Sequence, residues 1–213
     1  EKNALAALGL AYSRLGQTRK AIQFFQEQLK ISKEFGFWEE VCGLLANLGD
    51  AYAISGNIDL AKSYYEEQRV LAESKGLHAY VGTSYNGLGF VFVKQVKIKQ
   101  AIDCYFKALE CYRELEDYDK QLELLVGIGL NYRKLENWET AIDYFQQALE
   151  IAKYTENRKE QIQISVDLAE VFIKIQKGNL AITQLNQAEK DLKFIKFSWA
   201  DSLKRRIQVL RNF

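Results

Sequence analysis

Residues 85–95 read YNGLGFVFVKQ, with Gly87 and Gly89 two apart, and residues 125–135 read LVGIGLNYRKL, with Gly127 and Gly129 in the same relation. A Gly-x-Gly raises the question of a phosphate-cradling loop, whose backbone N–H groups close on an anion where side chains are missing. Such a loop is needed once, and it follows a strand. Here the motif returns after 40 residues, and no strand-like segment precedes either copy. The phosphate reading fails on that context. The interval itself is the informative feature.

Ala21, Ala61, Ala101, Ala141 and Ala181 fall on the same interval of 40. Four residues beyond them come Phe25, Tyr65, Tyr105 and Phe145, with Leu185 in the fifth copy. Upstream, Leu8-Gly9, Leu48-Gly49, Leu88-Gly89 and Ile128-Gly129 keep the period, and Leu168-Ala169 completes the set. An aromatic lies three residues past each small residue: Tyr12, Tyr52, Phe92, Tyr132 and Phe172. Five in-phase copies without insertion are the signature of a repeat architecture.

Each unit divides into two helices. Apolar residues recur at three- and four-residue steps, as in Leu5, Leu8, Tyr12 and Leu15, which predicts an amphipathic helix. The turn that follows is expected at Gly16-Gln17, Gly56-Asn57, Glu136-Asn137 and Gly178-Asn179, chemistry suited to a left-handed helix stop. The second helix then runs to a break at Gly36, Gly76, Glu116 or Glu156. Zero proline in 213 residues permits helix nearly throughout. An interior glycine costs a helix about 1 kcal/mol relative to alanine, so closer packing must offset it. Gly9, Gly49, Gly89 and Gly129 are therefore expected where the two backbones of a pair cross, with the Ala21-type alanines opposite and the aromatics filling the space beside.

Composition removes several function classes. The chain is 48% hydrophobic and 27% charged with net charge +1, a profile that supports a buried core and argues against disorder or a dedicated nucleic-acid surface. No apolar run reaches the roughly 18 residues a membrane span needs, so no membrane insertion is expected. Three cysteines, Cys42, Cys104 and Cys111, form no C-x-x-C pair, which points to buried thiols in a reducing compartment, the cytoplasm, and to no metal site. The single histidine, His78, falls in the break after Gly76 without ligand-spaced neighbours. No nucleophile elbow or zinc-protease motif appears, so neither an enzyme nor a cofactor is expected. The abrupt opening inside a helical pattern suggests a fragment of a longer protein.

The pattern Leu-Gly-x-x-Tyr, then Gly, then Ala-x-x-x-Phe/Tyr resembles the tetratricopeptide repeat, with Ala46–Gly76 the clearest copy. The usual repeat of about 34 residues is shorter than this one, and its closing proline is missing in every copy. The longer unit resembles the branch found in LGN-type adaptors and kinesin light chains. That resemblance implies an all-α, right-handed superhelical solenoid of five antiparallel helix pairs, over about residues 1–36, 37–76, 77–116, 117–156 and 157–194. A capping helix follows at about 198–213, the whole forming a single domain. Trp199, Leu203, Ile207 and Leu210 make its apolar stripe, Lys204, Arg205 and Arg211 lie away from it, and Ser198 with Asp201 suits a capping box.

The resemblance also implies a concave groove lined by the first helices. Its positions would be Ala6, Ala46, Asn86, Val126 and Val166; then Leu10, Asp50, Phe90, Leu130 and Glu170; then Ser13, Ala53, Val93, Arg133 and Ile173. Lys94, Lys134 and Lys174 come next in the chain and, with Arg133, would form a basic edge. Gly87 and Gly127, where other copies carry Asn47 and Asp167, would deepen the groove. Phe90, Val93, Val126, Leu130, Val166 and Ile173 would form an apolar floor, which a soluble protein has little reason to expose without a partner. A carboxylate clamp for a C-terminal tail is not matched, since only Asn47 fits its pattern. Three readings stand. The first is a non-catalytic scaffold that takes a peptide or amphipathic helix of a partner protein in the groove. The second is a regulatory or sensor segment of a larger signalling protein, its groove filled by its own chain or a small peptide. The third is a self-assembling spacer, with the oligomeric state left open.

Overall fold

The computed structural model describes residues 2–193, 195 and 198–212, and the side chains of residues 2–4, 6 and 198 lie outside that description. The expected groove position Ala6 and the expected cap Ser198 fall there. The chain folds as two compact units, Glu1–Leu115 and Glu116–Phe213. In the first unit, α1 (Lys2–Arg14) pairs with α2 (Thr18–Glu34), α3 (Trp38–Ile54) with α4 (Ile58–Lys75), and α5 (His78–Lys94) with α6 (Ile98–Glu114). In the second, α7 (Tyr118–Lys134) pairs with α8 (Trp138–Tyr154) and α9 (Arg158–Lys174) with α10 (Gly178–Leu192). A final helix, α11 (Ser198–Leu210), packs on α9 and α10. No strand occurs among the described residues. The fold is the all-α stack of helix pairs that the period predicts.

A left-handed residue ends each of the first nine intervals at a spacing of 20. Gly16, Gly36, Gly56 and Gly76 take positive φ, and then Val96, Glu116, Glu136, Glu156 and Gln176 do the same without the licence of glycine. At each such residue after a first helix the same 6→1 bond closes the end: Gln17 N donates to Tyr12 O, Asn57 to Tyr52, Lys97 to Phe92, Asn137 to Tyr132 and Lys177 to Phe172. This corrects one expectation. The fifth turn sits at Gln176-Lys177, and Gly178 and Asn179 already belong to α10. Packing in phase with the other pairs outweighs the turn preference of a Gly-Asn dipeptide two residues late. His78 likewise lies in α5, as its first residue, and is exposed.

The pairing contact differs in detail from two backbones meeting at glycine. A Cβ built on Gly49 would come within 2.7 Å of the Tyr65 ring, and one on Gly129 within 2.8 Å of the Phe145 ring. Gly9 faces Phe25 and Gly89 faces Tyr105 in the same way. The glycine thus makes room for an aromatic ring of the second helix, rather than for its backbone. Phe25, Tyr65 and Phe145 are almost fully buried as a result, and complete burial of such a ring contributes ~1.5–3 kcal/mol, more than the glycine costs. Ala21, Ala61, Ala101 and Ala141 have no exposed surface. Beside these seats an aromatic of three first helices stacks on the partner helix: Tyr12 on Phe24, Tyr52 on Tyr64 and Tyr132 on Tyr144, with ring centroids 5.4, 5.3 and 5.6 Å apart.

Gly87 is a second correction. A Cβ there would strike the edge of the Tyr65 ring that also faces Gly49. Tyr65 is therefore wedged between its own pair and the next first helix, and Gly87 serves that contact instead of hollowing a groove.

Two stability changes follow. Gly89→Leu drives a side chain into Tyr105 and should destabilise by roughly 1–3 kcal/mol in a denaturant melt, with the parent value as the contrary result. Val96 is 79% exposed at φ 60°, so Val96→Gly removes backbone strain without losing packing. It should stabilise by about 1 kcal/mol, read as a rise in the urea midpoint.

Candidate functional site

On the first unit the expected groove residues share the face of α3 and α5, two first helices that also touch each other. Asn47, Asn86 and Val93 are half-buried, while Asp50 and Lys94 are exposed. Asp50 is engaged: the Tyr65 hydroxyl donates to its carboxylate. Burial first, then the charge and hydrogen bond of Asp50, push the Tyr65 hydroxyl pKa up, so it stays a donor through the physiological range. Phe90 is 40% exposed, with the Lys94 ammonium 5.1 Å from its ring centroid. An aromatic with a cation over its face keeps its apolar surface turned outward at low cost.

On the second unit the expected residues lie on α7 and α9, and the structure treats them unequally. Val126, Leu130 and Ile173 are half-buried, and Lys134 and Lys174 are exposed. Val166 has no exposed surface and belongs to the core. Arg133 is committed within the unit: its Nη1 lies 2.6 Å from Glu170 Oε2 and 3.4 Å from Asp167 Oδ1. Of the expected basic residues, Lys94 on the first unit and Lys134 and Lys174 on the second remain exposed.

The second guanidinium on this acidic pair comes from α11. Arg206 Nε lies 2.6 Å from Glu170 Oε1 and its Nη2 lies 2.7 Å from Asp167 Oδ1. The Asp167 side chain is only 4% exposed, so its charge requires such partners. Burial alone would lower the Arg206 pKa; the hydrogen bonds to Glu170 and Asp167 and their charges outweigh it and raise it. Arg206 therefore stays charged throughout the physiological range. Around this network Leu203 and Ile207 are buried, Trp199 and Leu210 partly so, and Arg211 pairs with Glu189 of α10 at 2.7 Å.

Asp167 and Arg206 are the residues a reading for apolar floor passes over. A signal was available: one further interval of 40 carries Val166 to Arg206 and Arg158 to Ser198, which places α11 in phase with the first helices. Sequence shows that phase. It does not show that Arg206 turns onto α9.

Reactive constellations are sparse. Among the described residues no three His, Cys, Asp or Glu side chains gather as a metal ion would need, and no helix is long and apolar enough to cross a membrane. The cysteines are free thiols. Burial, then Glu39, pushes the Cys42 thiol up to about 11, which keeps it protonated and unreactive at neutral pH.

Arg206→Ala leaves Asp167 and Glu170 sharing the Arg133 guanidinium, with Gln163 Nε2 still donating to Asp167 at 3.3 Å. The expected loss is about 1–3 kcal/mol, the penalty of an under-paired buried group. Arg206→Lys should recover only part of it, because one ammonium cannot bond both carboxylates in the fork geometry. Urea melts of the two variants against the parent check both statements.

Comparison with known proteins gives the same architecture. Models of the tetratricopeptide repeat match residues 4–37, 40–114 and 120–193. No curated protein matches the sequence significantly. Among solved structures, BtubC (BKLC) from P. vanneervenii superposes with a TM-score of 0.80 at 20% identity, covering 91% of this chain and 82% of that one. A putative kinesin light chain from Podosopora anserina, with nearly identical repeats, gives 0.73 at 13% identity over 89% of this chain and 93% of its own. The Signal Transduction ATPase with Numerous Domains from Pyrococcus horikoshii, which has a tetratricopeptide repeat sensor, gives 0.83 at 20% identity. It covers 98% of this chain, which spans only 31% of that protein. At these identities the likeness is one of fold. With the repeat models matching most of its length in phase with the helix pairs described above, the chain belongs to the tetratricopeptide repeat family.

Proposed function

We propose that this chain is a non-catalytic interaction module whose first-helix faces take a peptide or amphipathic helix of a partner protein. The observation that carries the reading is Phe90, a large aromatic left 40% exposed on a face not spent on packing the second helix, with Lys94 over it. Asp50 holds the same place one repeat earlier, so an aromatic there is a property of this copy and not of the repeat. Lys94, Lys134 and Lys174 stand exposed at equivalent places, which suits a partner that sets acidic residues beside its apolar anchors. The free cysteines, with Cys42 held protonated, fit a reducing compartment such as the cytoplasm.

The test uses Phe90→Ala and Leu130→Ala, singly and together, in pull-downs read by mass spectrometry. Each side chain is partly exposed, so the circular-dichroism melt should stay near that of the parent while capture of specific partners falls at least about 10-fold, as loss of an interface anchor does. Unchanged capture by the double variant would overturn the assignment.

A second reading draws on one comparison: almost all of this chain superposes on part of a larger signalling ATPase that carries a tetratricopeptide repeat sensor. In that reading the module is a sensor segment of a longer polypeptide. The flanking coding sequence decides it, since a neighbouring nucleotide-binding domain supports the reading and a stand-alone repeat protein removes it.

A further inference from the structure

We infer that the face of α9 bearing Asp167 and Glu170 is a docking site for an arginine-bearing amphipathic helix of a partner protein, and that α11 is the chain's own exchangeable occupant of it. The starting point is a comparison within the molecule. Positions equivalent to Asp167 are Asn47, Gly87 and Gly127, and positions equivalent to Glu170 are Asp50, Phe90 and Leu130. Only the fifth repeat places two carboxylates together there. Stacking of repeats does not require them, since the other copies manage without. They are nevertheless among the most sheltered acids of the chain, and the cations that neutralise them come from two sources.

Arg133 is built into the unit, whereas Arg206 arrives on α11. Arg206 meets Glu170 at 2.6 Å through Nε and Asp167 at 2.7 Å through Nη2, one carboxylate on each of two neighbouring N–H groups. With α11 lifted away, one guanidinium faces two carboxylates, and the face carries a net negative charge next to Val166. Val166 is fully buried, while its equivalents Ala46, Asn86 and Val126 are half-buried. The vacated face would therefore combine an apolar strip with two carboxylates that share one cation, Arg133. An incoming helix fits it by presenting what α11 presents: apolar residues spaced as Leu203, Ile207 and Leu210, with an arginine placed as Arg206. Charge complementarity also excludes a helix with an acidic residue at that place.

Exchange is governed by tethering. A segment attached through a short linker faces its site at an effective concentration on the order of millimolar. A free helix of equal quality then binds the intact chain poorly, and binds well only when α11 is loosened. This inference rests on first-helix faces being docking surfaces, yet Phe90 lies on the other compact unit and Phe90→Ala should be silent in the assay below. The two readings thus fail separately.

The probe is a fluorescent peptide of residues 198–213, and binding is read by anisotropy. Full-length chain carrying Leu203→Asp and Ile207→Asp, which loosens α11 while leaving Asp167, Glu170 and Arg133 intact, should bind the probe at least about 10-fold more tightly than the parent. A probe with Arg206→Glu should lose that binding, as should the loosened chain carrying Asp167→Asn with Glu170→Gln. Equal binding by parent and loosened chain, or equal binding of the charge-reversed probe, overturns the inference. Because the loosened chain could fail to fold, hydrogen exchange on the parent gives an independent reading. The amides of α11 should open at least about 10-fold more often than those of α9, and exchange of both helices only through global unfolding overturns the proposal. Sedimentation of the parent closes the remaining alternative: a dimer that swaps α11 between copies would assign the face to a second copy and overturn the partner.

Discussion

An aromatic ring resting on a helix surface that has no side chain is the contact on which each glycine-bearing pair depends. Phe25, Tyr65, Tyr105 and Phe145 occupy the volume that a Cβ on Gly9, Gly49, Gly89 or Gly129 would need. The exchange is favourable because burying a large ring is worth more than the helix propensity lost at glycine. It also leaves little room for a substitution at the glycine, since the four rings are buried and cannot move out into solvent cheaply. Tyr65 extends the principle, because Gly49 and Gly87 approach the same ring edge and tie one pair to the next through a single side chain.

Turn geometry is subordinate to that packing. Four of the nine left-handed positions are glycine, and the other five are Val96, Glu116, Glu136, Glu156 and Gln176. Each of these five adopts a conformation that costs about 1–2 kcal/mol, and they hold it because the helices on either side are fixed by their pairing. The same hierarchy explains why Gly178-Asn179, a good stop signal, lies inside a helix. Three helix starts in the second unit are better secured: Asp117, Asn137 and Asn157 accept from the N–H groups of Lys120, Thr140 and Glu160 at the heads of α7, α8 and α9.

Electrostatics distinguish the end of the second unit. Surface ion pairs elsewhere, such as Lys33–Glu67 and Lys62–Glu66, are half-exposed and contribute little. The network of Arg133 and Arg206 with Asp167 and Glu170 is more sheltered and bidentate at Arg206, which makes it a specific contact. It seats α11 by charge and shape together, on a face where no earlier repeat places both acids.

Sequence by itself determined the helical class, the interval of 40 and the family, because period, glycine and aromatic spacing are properties of single helices and of their immediate neighbours. It also placed the expected surface on the first helices and brought out Phe90, whose exposure follows from helical phase. The partner of each side chain was decided only by tertiary structure. Gly87 looked like a hollow and is a seat for Tyr65; Val166 looked like floor and is core; Arg133 looked like a free edge and is held by Glu170. The physical reason is common to all three: periodicity fixes the direction in which a side chain leaves its helix, but whether it then meets water or another element depends on distances between helices far apart in the chain.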